Sequence, residues 1–251
     1  MEKLFEGQVA FVTGAGGGIG RATAISFARE GAQVALCDLK PELVQETLNI
    51  IESEGGKAVG EAFNIADDAK VEAFVDSIVA RFGRLDAALN NAGISLEDLG
   101  TPWGETDIFD KTMNINARSV MICMRAELKH MAKAGRGAIV NTASVAGMSG
   151  LSGPGYCGSK HAVVGLTRSA AMAYAAQGVR VNCVCPGAIR TPMTAALESN
   201  PQGAAFIAQM HPMGRMGEAQ EIADAVIFLC SSKASFITGH PLAVDGGFLA
   251  R

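Results

Sequence analysis

The sequence predicts a doubly wound parallel α/β sheet of about seven strands with helices on both faces, built as a single domain over residues 1–251. Three observations carry this. Short apolar runs end abruptly in Gly, Asp or Asn, as strands buried on both faces do. Longer segments with apolar side chains at helical spacing separate them. No linker, repeat or shift in composition interrupts the alternation, and 251 residues suffice for one large core.

Gln8–Thr13 reads as the first strand and ends at once in glycines. Gly18–Glu30 follows as a helix, with Gly31 as its stop. Gln33–Cys37 is the second strand, closed by Asp38. Pro41–Glu54 is a helix with Pro at its start and Gly55-Gly56 after its end. Lys57–Phe63 is the third strand. Asp67–Phe82 is a helix with Asp67 as its N-cap. Leu85–Leu89 is the fourth strand. A polar loop around Gly100–Gly104 leads to one long helix from about Asp107 to Ala134. Ala138–Thr142, Val179–Val184 and Leu242–Val244 complete the strands, with helices over about 155–177 and 218–231.

Composition narrows the function. The chain is 49% hydrophobic and 18% charged, carries a net charge of −4 and has no Lys/Arg run. That excludes a nucleic-acid or anionic-membrane surface. The six cysteines are scattered through apolar runs and read as buried free thiols of a reducing compartment. Cys183 and Cys185 are expected on opposite faces of a strand. The first residues lack the apolar run of a signal peptide, and no stretch approaches the roughly 18 apolar residues of a membrane span. A cytoplasmic protein is expected. The four histidines have no metal-like spacing, so no metal is expected.

In sheets of this kind ligands bind beyond the carboxyl ends of the strands, at the switch point. Each motif falls at such an end. Thr13-Gly14-Ala15-Gly16-Gly17-Gly18-Ile19-Gly20 joins the first strand to the first helix. Glycines let the backbone approach a pyrophosphate closely, and the helix N-terminus offers N–H donors. Gly14, Gly18, Ile19 and Gly20 are therefore cofactor-binding candidates. Asp38 stands 18 residues past Gly20 and can accept both hydroxyls of an adenosine ribose. It would repel a 2′-phosphate, and Arg21 falls inside the helix, so the pattern favours NAD over NADP. Asn64 and Ile65 are placed to hold adenine. Asn91 and Gly93 lie where the fourth strand meets the cofactor. Asn90 is as well suited to bonding neighbouring backbone.

Tyr156 and Lys160 are four residues apart, on one face of a helix. A lysine ammonium one turn away is expected to lower the tyrosine pKa from about 10 and make it a proton donor and acceptor near neutral pH.

Taken in order, the glycine loop, Asn90–Gly93, Asn116, Ser144, Tyr156–Lys160, Pro186-Gly187 with Thr191, and Val244-Asp245-Gly246-Gly247 resemble the short-chain dehydrogenase/reductase family over essentially the whole chain. The resemblance implies an NAD(P)-binding Rossmann fold, hydride transfer between alcohol and ketone, and a homotetramer. It assigns Tyr156 as general acid/base and Ser144 as the group that holds the substrate oxygen. It gives Lys160 the nicotinamide ribose, Asn116 a water linking Lys160 to solvent, and Ile189 and Thr191 the nicotinamide carboxamide. Two departures stand out: Asn64 where the family usually has Asp, and a Ser144–Tyr156 interval one residue shorter than is common. Asn114 is not the matching asparagine.

Val140–Ser144, Lys160–Thr167 and Ala188–Met193 look most like NAD-dependent dehydrogenases of cyclic alcohols and dihydrodiols. The expected substrate is a neutral, mostly apolar secondary alcohol, cyclic or bulky. Leu96, Met148, Leu151, Pro154 and Met193 are the candidate pocket lining. Residues 191–217, with Met193, Met210, Met213 and Met216, form either packing or an apolar lid. Two alternatives stand beside this reading. One is an NADPH-dependent ketoacyl-carrier-protein reductase, which Asp38 and the acidic charge disfavour. The other is a non-catalytic dinucleotide sensor, disfavoured by the intact catalytic positions.

Overall fold

The computed structural model describes residues 3–97, 100, 103, 106–195 and 201–251. Part of the loop expected around Gly100–Gly104, and residues 196–200 of the expected lid, lie outside the described residues.

The chain runs β1 (Val9–Thr13), α1 (Gly18–Arg29), β2 (Gln33–Asp38), α2 (Pro41–Ser53), β3 (Lys57–Ala62), α3 (Asp68–Phe82), β4 (Ala87–Asn90) and α4 (Thr106–Met113). It continues through α5 (Ser119–Ala134), β5 (Gly137–Thr142), α6 (Pro154–Tyr174), β6 (Val179–Pro186), β7 (Ile189–Arg190), α7 (Pro201–Gln209), β8 (Gly217–Glu218), α8 (Ala219–Cys230) and β9 (Pro241–Val244). Seven strands form one sheet in the order β3-β2-β1-β4-β5-β6-β9, every pair parallel. The order reverses between β1 and β4. That crevice is where a ligand is expected.

Alternation along each strand splits the core in two. Val9 and Phe11 of β1 pack with α3, α5 and α6 through Phe74, Ile78, Ile122 and Val163. Ala10 and Val12 pack on the other face with α1, α2 and α8 through Phe27, Ile51, Ile222 and Val226. Being buried on both faces, β1 reads as an unbroken apolar run. Asp67 caps α3 as expected, accepting the Lys70 N–H at 3.1 Å.

Two expectations need correction, and two features go unannounced in the sequence. Cys183 and Cys185 share a face, because residues two apart on a strand return to the same side; both join the first core cluster while Val184 joins the second. The helix expected over 107–134 runs without a gap from Thr106 to Ala134, with a π turn at Asn114–Arg118 that no residue pattern announces. The helices at 107–134 and 155–177 carry Val120, Cys123, Met124, Val164, Leu166, Ala170 and Ala173 on more than one face, which predicts a surface for assembly. Of these, Val120, Cys123, Met124, Val164 and Ala170 are buried in the protomer's own core, Leu166 packs against it, and Ala173 alone is exposed. The segment expected as a lid is bracketed by a small parallel pair, Ile189 with Gly217 and Arg190 with Glu218, which no strand-like run announced. All six cysteines are free, with Cys157 alone only partly buried. Among the described residues no helix is long and apolar enough to cross a membrane.

Candidate active site

Helix α6 begins at Pro154, whose missing N–H suits the first turn. One turn separates Tyr156 from Lys160, and the lysine Nζ lies 5.5 Å from the tyrosine ring centroid. Lys160 is buried, and its Nζ donates to the carbonyl of Thr142, the last residue of β5, at 2.8 Å. Ser144 follows β5 by two residues in an extended conformation; its Oγ accepts the Ala146 N–H at 3.1 Å and pairs with the Tyr156 hydroxyl. Strand end and helix start thus bring Ser144, Tyr156 and Lys160 to one point.

The pKa pattern departs from expectation. Burial raises the Tyr156 pKa, and the Ser144 hydrogen bond pulls it the other way. Burial also pushes Lys160 down from 10.5 to about 8. Spacing alone suggested a lysine lowering its neighbour; removal of both groups from water outweighs that attraction.

Asn116 sits in the π turn and is fully buried. Its Oδ1 accepts the Ile94 N–H and its Nδ2 donates to the Ile94 carbonyl, both at 2.8 Å. Nδ2 also donates to Ser159 Oγ at 3.2 Å. The extra residue of the turn aims this amide at the chain leaving β4, a placement typical of π turns at functional sites. Gly93 lets the chain lie close there: a Cβ would stand a tight 3.2 Å from Asn116 Oδ1 and an ordinary 3.6 Å from Lys160 Nζ.

Ser144, Tyr156 and Lys160 line one end of a groove of about 930 Å³ that crosses the carboxyl ends of the strands. Gly14, Gly18, Ile19, Asp38, Asn64, Ile65, Asn91, Gly93, Ile189 and Thr191 line the rest. Gly20 and Asn116 do not reach it. A Cβ on Gly20 would collide with the Gly14 carbonyl oxygen, so this glycine serves close packing of helix on loop. Asn91 lines the groove, yet its amide is engaged by the backbone carbonyls of Thr13 and Gly14 at 3.3 and 3.2 Å. Asn90 is structural, donating to Glu127 and Asn141 in the core at 3.1 and 3.0 Å. The Asn64 Oδ1 accepts the Ala66 N–H at 3.0 Å.

The groove's shape fits a dinucleotide. Gly17 caps α1 with no side chain, which leaves the first-turn N–H groups facing the groove. At the next corner Asp38 Oδ2 accepts the Gly16 N–H at 2.9 Å, and Oδ1 keeps only a 3.3 Å contact with the Lys40 N–H. A Cβ on Gly16 would stand 2.7 Å from Leu43 Cβ, so the loop must be bare there.

Of the expected substrate-pocket residues, Leu96 and Met193 line the groove; Met148, Leu151 and Pro154 do not. The loop before α6 turns its apolar side chains outward, leaving Met148 and Leu151 exposed. Ser152 there has φ +79, the one non-glycine positive φ among the described residues. Ser149 Oγ donating to the Val145 carbonyl at 2.9 Å and Cys157 Sγ donating to the Ala146 carbonyl at 3.4 Å hold the loop in that form.

Several participants escaped sequence reading. Thr194 Oγ1 accepts the Thr191 N–H at 3.1 Å and donates to the Ile189 carbonyl at 2.6 Å, fixing the turn that carries Thr191. Lys111 lines the groove from α4. Glu97 caps α6 from the loop after β4. His211, expected as structural, is buried; its Nε2 accepts the Ala188 N–H at 3.1 Å and its Nδ1 donates to the Ile207 carbonyl at 2.8 Å. It ties the end of α7 to the loop after β6. Among the described residues no cluster of His, Cys, Asp and Glu could hold a metal ion.

A family model described as enoyl-(acyl carrier protein) reductase matches residues 14–249. The chain is 40% identical to cyclohexanol dehydrogenase of Acinetobacter sp. (strain SE19), covering 100% of this chain and 98% of that one. It is 43% identical to 2,5-dichloro-2,5-cyclohexadiene-1,4-diol dehydrogenase of Sphingobium indicum, covering 97% and 98%. The crystal structure of levodione reductase superposes with a TM-score of 0.94 at 38% identity, over 98% of this chain and 99% of that one. A putative NAD(P)-dependent gluconate 5-dehydrogenase from Beutenbergia cavernae, solved with NADP at low occupancy, superposes with a TM-score of 0.93 at 35% identity over the full length of both chains. Family-model match, full-length relatives and the ordered motifs around one groove agree: the chain belongs to the short-chain dehydrogenase/reductase family.

Proposed function

We propose that this protein is an NAD-dependent oxidoreductase that interconverts a neutral, mostly apolar secondary alcohol, cyclic or bulky, and its ketone. The observation that carries the reading is the convergence of Ser144, Tyr156 and Lys160 at one end of the dinucleotide-shaped groove. The activities for which two relatives are named, on cyclohexanol and a cyclohexadienediol, support the substrate class.

NAD, when bound, would supply the acceptor for the hydride. Tyr156 takes the hydroxyl proton in oxidation and returns it to the carbonyl oxygen in reduction. Ser144 holds the substrate oxygen with its hydroxyl and stabilises charge developing there. Lys160 would hold the nicotinamide ribose. Asn116 keeps the Gly93-Ile94 turn against the lysine and would carry the water that links it to solvent. Ile189 and Thr191 would hold the carboxamide, and Leu96 and Met193 shape the apolar end. Asp38 would accept the adenosine ribose hydroxyls and repel a 2′-phosphate, which is the reason to name NAD.

The protein works as a cytoplasmic homotetramer in this reading, on the family resemblance and its six free thiols. The test is a screen of purified protein with NAD against cyclic, aliphatic and hydroxysteroid alcohols, hydroxy acids and sugar phosphates, followed by NADH absorbance. A cyclic neutral alcohol should give the highest kcat/KM. An anionic hydroxy acid or sugar phosphate as best substrate overturns the substrate reading, and Lys111 is then the cation to examine.

A further inference from the structure

We infer that Glu46 is a specificity-determining residue: it occupies the Arg21 guanidinium, the cation at the Asp38 corner of the groove, and so withholds it from a 2′-phosphate. This rests on the reading of that corner as the adenosine-ribose site.

The geometry is explicit. Arg21 Nη1 donates to Glu46 Oε1 at 2.9 Å and Nη2 to Glu46 Oε2 at 2.8 Å, a two-pronged pair. Arg21 Nε donates to Thr47 Oγ1 at 3.1 Å, and that buried hydroxyl donates to the Ala15 carbonyl at 2.8 Å. Nη2 also reaches the Gly16 carbonyl. Gly16 donates its own N–H to Asp38 Oδ2 at 2.9 Å. One glycine therefore touches Arg21 through its carbonyl and Asp38 through its amide. Arg21, Asp38 and Glu46 all line the groove.

Sequence position suggested that Arg21 was lost inside a helix. Folding instead puts its head one residue from the carboxylate that sets cofactor choice. A guanidinium is the side chain best matched to a phosphate, through two parallel N–H donors. Those are the two donors Glu46 engages. Two carboxylates against one guanidinium also leave the corner net negative, which favours neutral ribose hydroxyls over a doubly charged phosphate. The Glu46 side chain is 54% exposed, so the pair contributes little to stability and its removal spares the fold.

The test is a binding cycle on the whole protein. Kd for NADPH and NADH is measured by cofactor fluorescence titration and calorimetry, for the unmodified protein, Asp38→Ser, Glu46→Ala and the double variant. Glu46→Ala alone should change NADPH binding little, because Asp38 still repels the phosphate. The double variant should bind NADPH at least about tenfold more tightly than the product of the two single effects predicts, since the two sites couple through Arg21. Adding Arg21→Met should abolish that surplus. Single effects that multiply without surplus, or a surplus that survives Arg21→Met, overturn the role of Glu46 while leaving the ribose corner standing. Equal affinity of the unmodified protein for NADPH and NADH overturns both readings together.

Discussion

The Glu97 carboxylate accepts the backbone N–H groups of Gly155 and Tyr156, at 2.5 and 2.9 Å. Gly153, the N-cap of α6, has no side chain to satisfy them, so a loop 58 residues earlier does. Leu96, next to Glu97, lines the groove. The loop that carries Leu96 and the turn that carries Tyr156 are thereby held as one unit. Glu97→Ala should cost roughly 1 kcal/mol in stability, as a lost cap does. It should lower kcat/KM for the alcohol by about tenfold through misplacement of Tyr156. KM for NAD should stay within about twofold, because the groove's far end is untouched. Glu97→Gln, which keeps one acceptor, should fall between. Equal damage to both KM values in thermal and steady-state measurements would mean a general structural role.

Tyr156→Phe deletes a hydroxyl and leaves the helix, the Ser144 turn and the groove walls in place. NADH affinity should hold while turnover falls by about two to four orders of magnitude, the worth of general acid–base catalysis. Retention of more than about a tenth of the activity rules Tyr156 out as the acid/base. Lys160→Ala should lower both turnover and NAD affinity. It also leaves the Thr142 carbonyl, now bonded at 2.8 Å, without its donor.

The backbone plan was legible because strands buried on both faces write themselves as apolar runs, and because Gly31, Asp67 and Pro41 mark helix ends by local chemistry. What stayed hidden depends on partners distant in sequence. The π turn exists to bring Asn116 to Ile94, 22 residues away, and no residue type encodes it. Arg21 meets Glu46 across 25 residues. Met148 and Leu151 are apolar by composition, yet the loop that holds them leaves both exposed. Neighbour counting anticipated a lowered tyrosine pKa; burial, which spacing does not report, decides the direction. Val120 and Cys123 were apolar enough for an interface but belong to the core.

Assembly is open to a direct measurement. With those residues buried, the outer apolar side chains on the paired helices are Phe109 on α4, Met121 on α5 and Met172 on α6, exposed by 39%, 38% and 86%. The family resemblance implies a tetramer, and these are the large apolar side chains on α4, α5 and α6 left to meet another chain. Light scattering at micromolar concentration should report four times the 25.9 kDa chain mass. A monomer mass refutes the tetramer.

Glu127 makes stability depend on pH. It is fully buried in α5, and Asn90 Nδ2 donates to its Oε2 at 3.1 Å while Oε1 has no partner. Burial pushes its pKa from 4.5 to about 8, against the Asn90 hydrogen bond. The folded state therefore keeps a proton that the unfolded chain releases. Its contribution is complete below about pH 4.5 and is lost as pH rises toward about 8. Within that window the slope reaches at most about 1.4 kcal/mol per pH unit. Glu127→Gln replaces the carboxyl with a neutral group of the same shape. Urea unfolding of both proteins at pH 5, 7 and 9 should show a small difference at pH 5 and a growing advantage for Glu127→Gln above it. Comparing the two proteins cancels every other titrating group. If the variant differs from the parent by the same amount at all three pH values, Glu127 does not carry the proton, and the unpaired Oε1 needs another explanation.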